Sequence, residues 1–180
     1  NGPARPLAGG ACQTTALSLD RDAQLAVVQS STPASPGDLL HLDLATKELK
    51  QLTHYNTEYL AENPPARLEK FHIQREGREI ECRLWFPPDF NSAQRYPLVL
   101  DVHGGPNGAF YDSFVHVQQV LSTSGYLVLA VNPRGSSTYG NDFMMEVVGD
   151  WGGEDYLDLM AAVDQTAQRP YVDTTRLGIH

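Results

Sequence analysis

Cysteine is scarce in this 180-residue sequence. Cys12 and Cys82 stand far apart, without CxxC spacing or a neighbouring histidine cluster. That excludes a disulfide framework and a cysteine zinc site, and it predicts two ordinary buried thiols in a reducing, cytoplasmic setting. Long apolar runs are missing too: the longest, residues 126–131, is far short of the ~18 residues a membrane span requires, so no membrane partner is expected. Basic residues are outnumbered, 13 Lys and Arg against 22 Asp and Glu, for a formal charge of -9. A nucleic-acid partner needs a clustered positive field, so none is expected. The chain opens on Asn1 with no charged, apolar and small-residue pattern behind it, which reads as an internal segment of a longer protein rather than a secretory start.

What is present is a hydrophobic content of 41%, enough for a sizeable core. Residues 1–11 are rich in Gly, Pro and Ala and read as a connecting loop. Residues 14–52 carry four short strand candidates. Leu40, Leu42 and Leu44 alternate with His41 and Asp43, while Pro33, Pro36 and Gly37 mark turns. Four strands in about forty residues predict an antiparallel meander the size of one β-propeller blade, or one sheet of a sandwich. The stretch containing Asn63-Pro64-Pro65 reads as a linker, placing a domain boundary near Pro65: residues 1–65 as meander and linker, 66–180 as a second domain.

Beyond the linker the pattern changes. Residues 68–74 and 80–86 predict a hairpin turning at Arg75-Glu76-Gly77-Arg78. Short apolar runs at 98–102 and 126–131, with a third opening at 176–180, predict buried strands. Helices are expected at 112–122, on Phe114, Val117, Val120 and Leu121, and at 154–168, on Tyr156, Leu159, Met160 and Val163. Buried strands alternating with helices imply a mostly parallel sheet covered on both faces, and a hairpin feeding such a sheet is the entrance to an α/β-hydrolase fold.

In that architecture chemistry sits in loops at the carboxyl ends of the strands. His103-Gly104-Gly105-Pro106 follows the 98–102 strand, where an α/β-hydrolase supplies an oxyanion-hole N–H and glycine lets the main chain approach a carbonyl. Pro106 cannot donate, so Gly105, and after it Gly104, are the candidate donors; a plain glycine-proline turn is the alternative. His103, without a visible carboxylate partner, reads as a pocket-wall or loop-packing residue rather than a general base. Asn132-Pro133-Arg134-Gly135-Ser136-Ser137-Thr138-Tyr139-Gly140 follows the next strand, which makes Arg134 and Tyr139 candidates for the active-site rim, with a rigid loop as the alternative. In Gly149-Asp150-Trp151-Gly152-Gly153-Glu154-Asp155, the acidic pair reads as helix-capping and Trp151 as a core aromatic.

Together, HGGP, NPRGSSTYG, GDWGG and the final RLGIH, in this order and at these spacings, resemble the prolyl oligopeptidase family of serine peptidases, most nearly its acylaminoacyl-peptidase and dipeptidyl-peptidase branch. The resemblance is strong over residues 67–180 and looser over DLLHLDLATKELKQLT. Prolyl oligopeptidase proper carries tyrosine where His103 stands, so cleavage after proline is not the specificity the resemblance favours. It implies a propeller ahead of an α/β-hydrolase domain, short peptide substrates, an acyl-enzyme and no cofactor or metal. It also implies a G-x-S-x-G elbow directly after the 176–180 strand. Ser113, Ser122, Ser124, Ser136 and Ser137 all lack glycines at both flanking second positions, so the triad Ser, Asp and His are expected after His180 and the 180 residues alone are expected to be inactive. The chain is then expected to fold against the remainder of its own polypeptide, with a homo-oligomer left open. A carboxylesterase on the same fold and a non-catalytic scaffold are the alternatives.

Overall fold

In the computed structural model, which describes residues 3, 6, 7 and 9–180, the chain divides into two compact units, Asn1–Pro65 with Tyr111–Val115 and Ala66–Phe110 with His116–His180. The loop expected over residues 1–11 lies in part outside the described residues.

The first unit is an antiparallel meander of β1 (Gln13–Leu19), β2 (Leu25–Thr32), β3 (Ser35–Asp43) and β4 (Leu49–Gln51), followed by the short helix α1 (Thr57–Glu62). Aspartates close two of its turns: Asp20 accepts the N–H groups of Gln24 and Leu25, and Asp43 those of Ala45 and Thr46. Side-chain acceptors of this kind replace ladder partners that a turn removes. Pro36 and Gly37, expected to mark a turn, lie inside β3 instead. The register slips between Ser30 and Thr32 opposite them, and a Cβ on Gly37 would come within 2.8 Å of the Ser30 carbonyl, so the glycine serves a bulge rather than a turn.

The second unit carries the larger core. Strands β5 (Arg67–Arg75) and β6 (Arg78–Phe86) form the predicted hairpin; Glu76 and Gly77 both have positive φ, the geometry that matches strand twist in a two-residue turn. Then follow β7 (Tyr96–Asp101), α2 (His116–Thr123), β8 (Leu127–Asn132), α3 (Asn141–Met145), α4 (Glu154–Ala167) and β9 (Val172–Ile179). The strand order is β5-β6-β8-β7-β9. The sheet is mixed rather than mostly parallel, because β6 pairs antiparallel with both β5 and β8, while β7 runs parallel to β8 and β9. Every residue of β8 is buried, and Ile80, Leu84, Phe86, Leu98, Leu127, Leu129 and Val131 form the main cluster with Ala162 of α4.

Three sequence expectations fail here for physical reasons. Helix α2 starts at His116 rather than 112 and buries a polar face, Gln118, Gln119 and Ser122, leaving Val120 exposed. Most of this polar face is answered: Gln118 Nε2 donates to Asp101, Gln119 accepts the Ala66 N–H, and Ser122 donates to the Gln118 carbonyl, while Gln118 Oε1 meets no partner among the described residues. Helix α4 is likewise rotated from the apolar reading, burying Asp158, Ala162, Val163 and Thr166 while Tyr156 is exposed. Strand β9, expected to be buried, is exposed from Thr174 onward, with Ile179 at 73%. No described helix is long and apolar enough to cross a membrane.

Candidate functional site: the loops after β7 and β8

Parallel neighbours β7 and β8 end side by side, so the loops leaving them meet. Their contact is built from hydrogen bonds. His103 Nε2 lies 2.9 Å from Ser136 Oγ, Asn107 Nδ2 donates to the Gly135 carbonyl at 2.9 Å, and the Ser137 N–H donates to the Gly108 carbonyl at 3.0 Å. At the far end, Asn132 Oδ1 accepts the Phe110 N–H at 2.7 Å and Asn132 Nδ2 donates to the Phe110 carbonyl at 3.0 Å.

Glycine is required at two points of the first loop. Gly105 has φ +134°, and a Cβ there would stand 2.5 Å from the Gly108 N; a Cβ on Gly108 would stand 2.3 Å from the Gly104 carbonyl oxygen. At Gly105 a side chain is excluded by both backbone conformation and space, at Gly108 by space. Gly104 and Gly105 are exposed, and neither N–H meets an acceptor among the described residues. Two adjacent exposed residues past a strand's carboxyl end thus carry backbone donors without an acceptor among the described residues.

His103 is held as a neutral ring. Nδ1 faces the Gly104 carbonyl at 3.2 Å, and a carbonyl only accepts, so Nδ1 carries the proton and Nε2 accepts from the buried Ser136 hydroxyl. Burial pushes the imidazole's pKa below its ordinary value, opposed by the Gly104 carbonyl and the Asp101 charge. His103 therefore braces the loop root against Ser136, and Phe110 packs edge-on to its ring at 5.3 Å.

Arg134 turns away from the loop rim. It is 8% exposed and its guanidinium binds Asp158 through Nε (2.9 Å) and Nη2 (2.8 Å) and Glu154 through Nη2 (2.9 Å), while its backbone N–H also donates to Asp158 (3.0 Å). Arg75 reaches the same two carboxylates from the β5–β6 hairpin. Glu154, expected as a cap, belongs to this cluster; the Glu154 N–H at the start of α4 is taken instead by Asp150. Trp151, expected in the core, is 75% exposed.

Tyr139 hydrogen-bonds inward as well: its hydroxyl donates to Glu81 at 2.8 Å and accepts from Asn132 Nδ2 at 2.8 Å. Burial first, and the Glu81 carboxylate second, push the phenol's pKa upward, so it remains a donor. Its ring also lines a cavity of about 530 Å³ with His72, Arg78, Glu79, Asn141 and Phe143, which contains neither Gly104 nor Gly105. The cysteines differ: Cys82 is fully buried, Cys12 half-buried. Among the described residues no group of three or more His, Cys, Asp or Glu is placed to hold a metal ion.

The sequence assigns no bracing role to Asn132, Ser136, Asn107 or Asp158. Asn132 had a signal, a polar residue closing an apolar strand; Asp158 had one in the polar interruption of a helix's inner face.

Residues 112–180 match the sequence profile of the family described as "Prolyl oligopeptidase family". The chain belongs to the prolyl oligopeptidase family. It is 37% identical over 165 residues to the uncharacterized peptidase YuxL of Bacillus subtilis, covering 91% of this chain and 25% of that protein. With the acylamino-acid-releasing enzyme of Sus scrofa it shares 31% identity over 175 residues, 91% of this chain and 23% of the relative. The solved acylaminoacyl peptidase of Pyrococcus horikoshii matches with a TM-score of 0.89 at 27% identity, over 97% of this chain and 28% of that one. The chain thus spans about a quarter of the length of these prolyl oligopeptidase family relatives.

Proposed function

We propose that the protein is a serine-type oligopeptidase resembling acylaminoacyl peptidases, hydrolysing short peptides through an acyl-enzyme, and that this segment supplies its oxyanion loop. In this reading the second unit is the opening half of an α/β-hydrolase domain and the first is the closing blade of a propeller, with the Ser, Asp and His of the triad on polypeptide beyond His180. The observation that carries the proposal is the pair of N–H groups without acceptors at exposed Gly104 and Gly105, in a segment that admits no Cβ at Gly105.

The chemistry follows from that geometry. A serine hydroxyl attacks the scissile carbonyl, its proton passing to the histidine; the carbonyl π electrons move to oxygen, which the Gly105 N–H, aided by Gly104, stabilises. Collapse expels the amine, which takes the proton back, and water repeats the sequence to free the acid. A backbone donor needs no reorganisation as charge develops, and one such donor is worth about 2.7–4 kcal/mol. His103 is neutral and engaged with Ser136, so it braces the loop and does not serve as the base.

The test is turnover by the full-length protein of N-acylated peptide anilides against simple acyl esters. Faster kcat/KM on the peptide anilides supports the peptidase. Ester turnover alone would assign a carboxylesterase, and no turnover of either by folded protein would leave a scaffold.

A further inference from the structure

Asn132 ends the buried strand β8 and is itself 1% exposed. Its amide uses every face. Oδ1 accepts the Phe110 N–H at 2.7 Å, and Nδ2 donates both to the Phe110 carbonyl at 3.0 Å and to the Tyr139 hydroxyl at 2.8 Å. The two bonds to Phe110 are the pairing a β-strand residue would make, supplied by a side chain. They splice the end of the loop after β7 onto the sheet where no ladder continues. Tyr139 passes the tie onward to Glu81 of β6, whose other oxygen holds the Nε of Arg83 in the same strand at 2.6 Å.

The loop bearing Gly104 and Gly105 is therefore held at its root by His103 and Ser136, in its middle by Asn107 and Gly135, and at its far end by Asn132. From this we propose that Asn132 is a positioning residue for the oxyanion loop: its bidentate grip on Phe110 sets where the Gly105 N–H points. The inference rests on the functional reading above. Asparagine is the required residue because the site demands one acceptor and two donors in a plane. An aspartate supplies no donor to the Phe110 carbonyl. It would also set a second carboxylate beside a Tyr139 hydroxyl that donates one proton and already gives it to Glu81. An alanine would leave the Phe110 N–H and carbonyl unanswered in a buried site.

The consequence is catalytic rather than only structural, since an oxyanion donor acts on the transition state and a displacement of about 1 Å can cost about 10²-fold. In the full-length protein, Asn132→Asp and Asn132→Ala are expected to lower kcat by about 30- to 100-fold with KM changed less than about threefold, and to slow fluorophosphonate inactivation in parallel. Val163→Ala in helix α4, a core truncation outside the loop contacts, serves as the stability control: at a comparable fall in Tm it should keep kcat within about twofold. Folded Asn132 variants retaining kcat within threefold of wild type would overturn the inference, as would a kcat loss matched by Val163→Ala at equal Tm. Absence of both labelling and turnover in the wild-type protein overturns the functional reading and this inference with it. A labelled wild type with unaffected Asn132 variants overturns this inference alone.

Discussion

Removal of the Asp158 carboxylate is the perturbation whose cost the structure states most directly. Asp158 is fully buried and receives four donors: the Arg134 N–H, Nε and Nη2, and the Arg75 Nη1. The Asp158 bonds hold the Arg134 guanidinium above its ordinary pKa, and Glu154 with Asp158 does the same for Arg75, burial opposing in both. Neither cation escapes by deprotonation. Asp158→Ala therefore leaves a buried cation facing half-exposed Glu154 alone, and breaking one side of a buried pair costs about 3–5 kcal/mol. In a domain of about 150–250 residues that is about 6–20 °C in the Tm of its transition, read by scanning calorimetry of the full-length protein. The double variant Asp158→Leu with Arg134→Met removes charge from both partners, and should recover at least half the loss. A single-variant shift below about 2 °C, or a double variant no better than the single, would refute the reasoning that this cluster anchors the Asn132–Ser137 loop.

Other expectations follow from individual residues. Gly105→Ala forces a Cβ to within 2.5 Å of the Gly108 N, and kcat of the full-length enzyme should fall by about 10²–10³-fold; retention within tenfold would count against Gly105 as donor. For His103 the folded pKa lies below the unfolded value of about 6.5, so the unfolded chain binds the extra proton as the pH falls through that range. Its contribution to stability is complete above about pH 6.5 and is lost below it. His103→Gln should flatten that part of a Tm-against-pH curve, and an unchanged slope would contradict the neutral ring. Burial pushes the Cys82 thiol up to about 12, so peptide mapping after native alkylation should find Cys12 modified and Cys82 untouched until denaturant is added.

Backbone periodicity carried most of the strand pattern in the sequence. The runs 80–86, 98–102 and 126–131 became β6, β7 and β8 within two residues, because short segments dominated by apolar residues, with Glu81 and Arg83 alternating in the first, and flanked by Gly and Pro have few other uses. Helix faces were less legible. Helix α2 buries Gln118 and Gln119, and α4 buries Asp158, because their partners, Asp101, the Ala66 N–H, Arg134 and Arg75, are supplied by elements distant in sequence. A polar residue with a partner 17 or 83 positions away is indistinguishable, in the sequence, from one facing water. The same reasoning separates the candidate site's parts. The turn at Gly105 was visible because its glycine answers a local steric need. The inward turn of Arg134 and Tyr139, and the Asn132 grip on Phe110, are tertiary events with only a faint local signature.

Fluorophosphonate treatment of the full-length protein, followed by peptide mass mapping, tests acyl transfer most directly. One stoichiometric adduct is expected on a serine in a G-x-S-x-G sequence, formed at a rate that Gly105→Ala lowers sharply. A folded protein that takes no adduct, or an adduct rate indifferent to Gly105, would contradict the acyl-transfer reading.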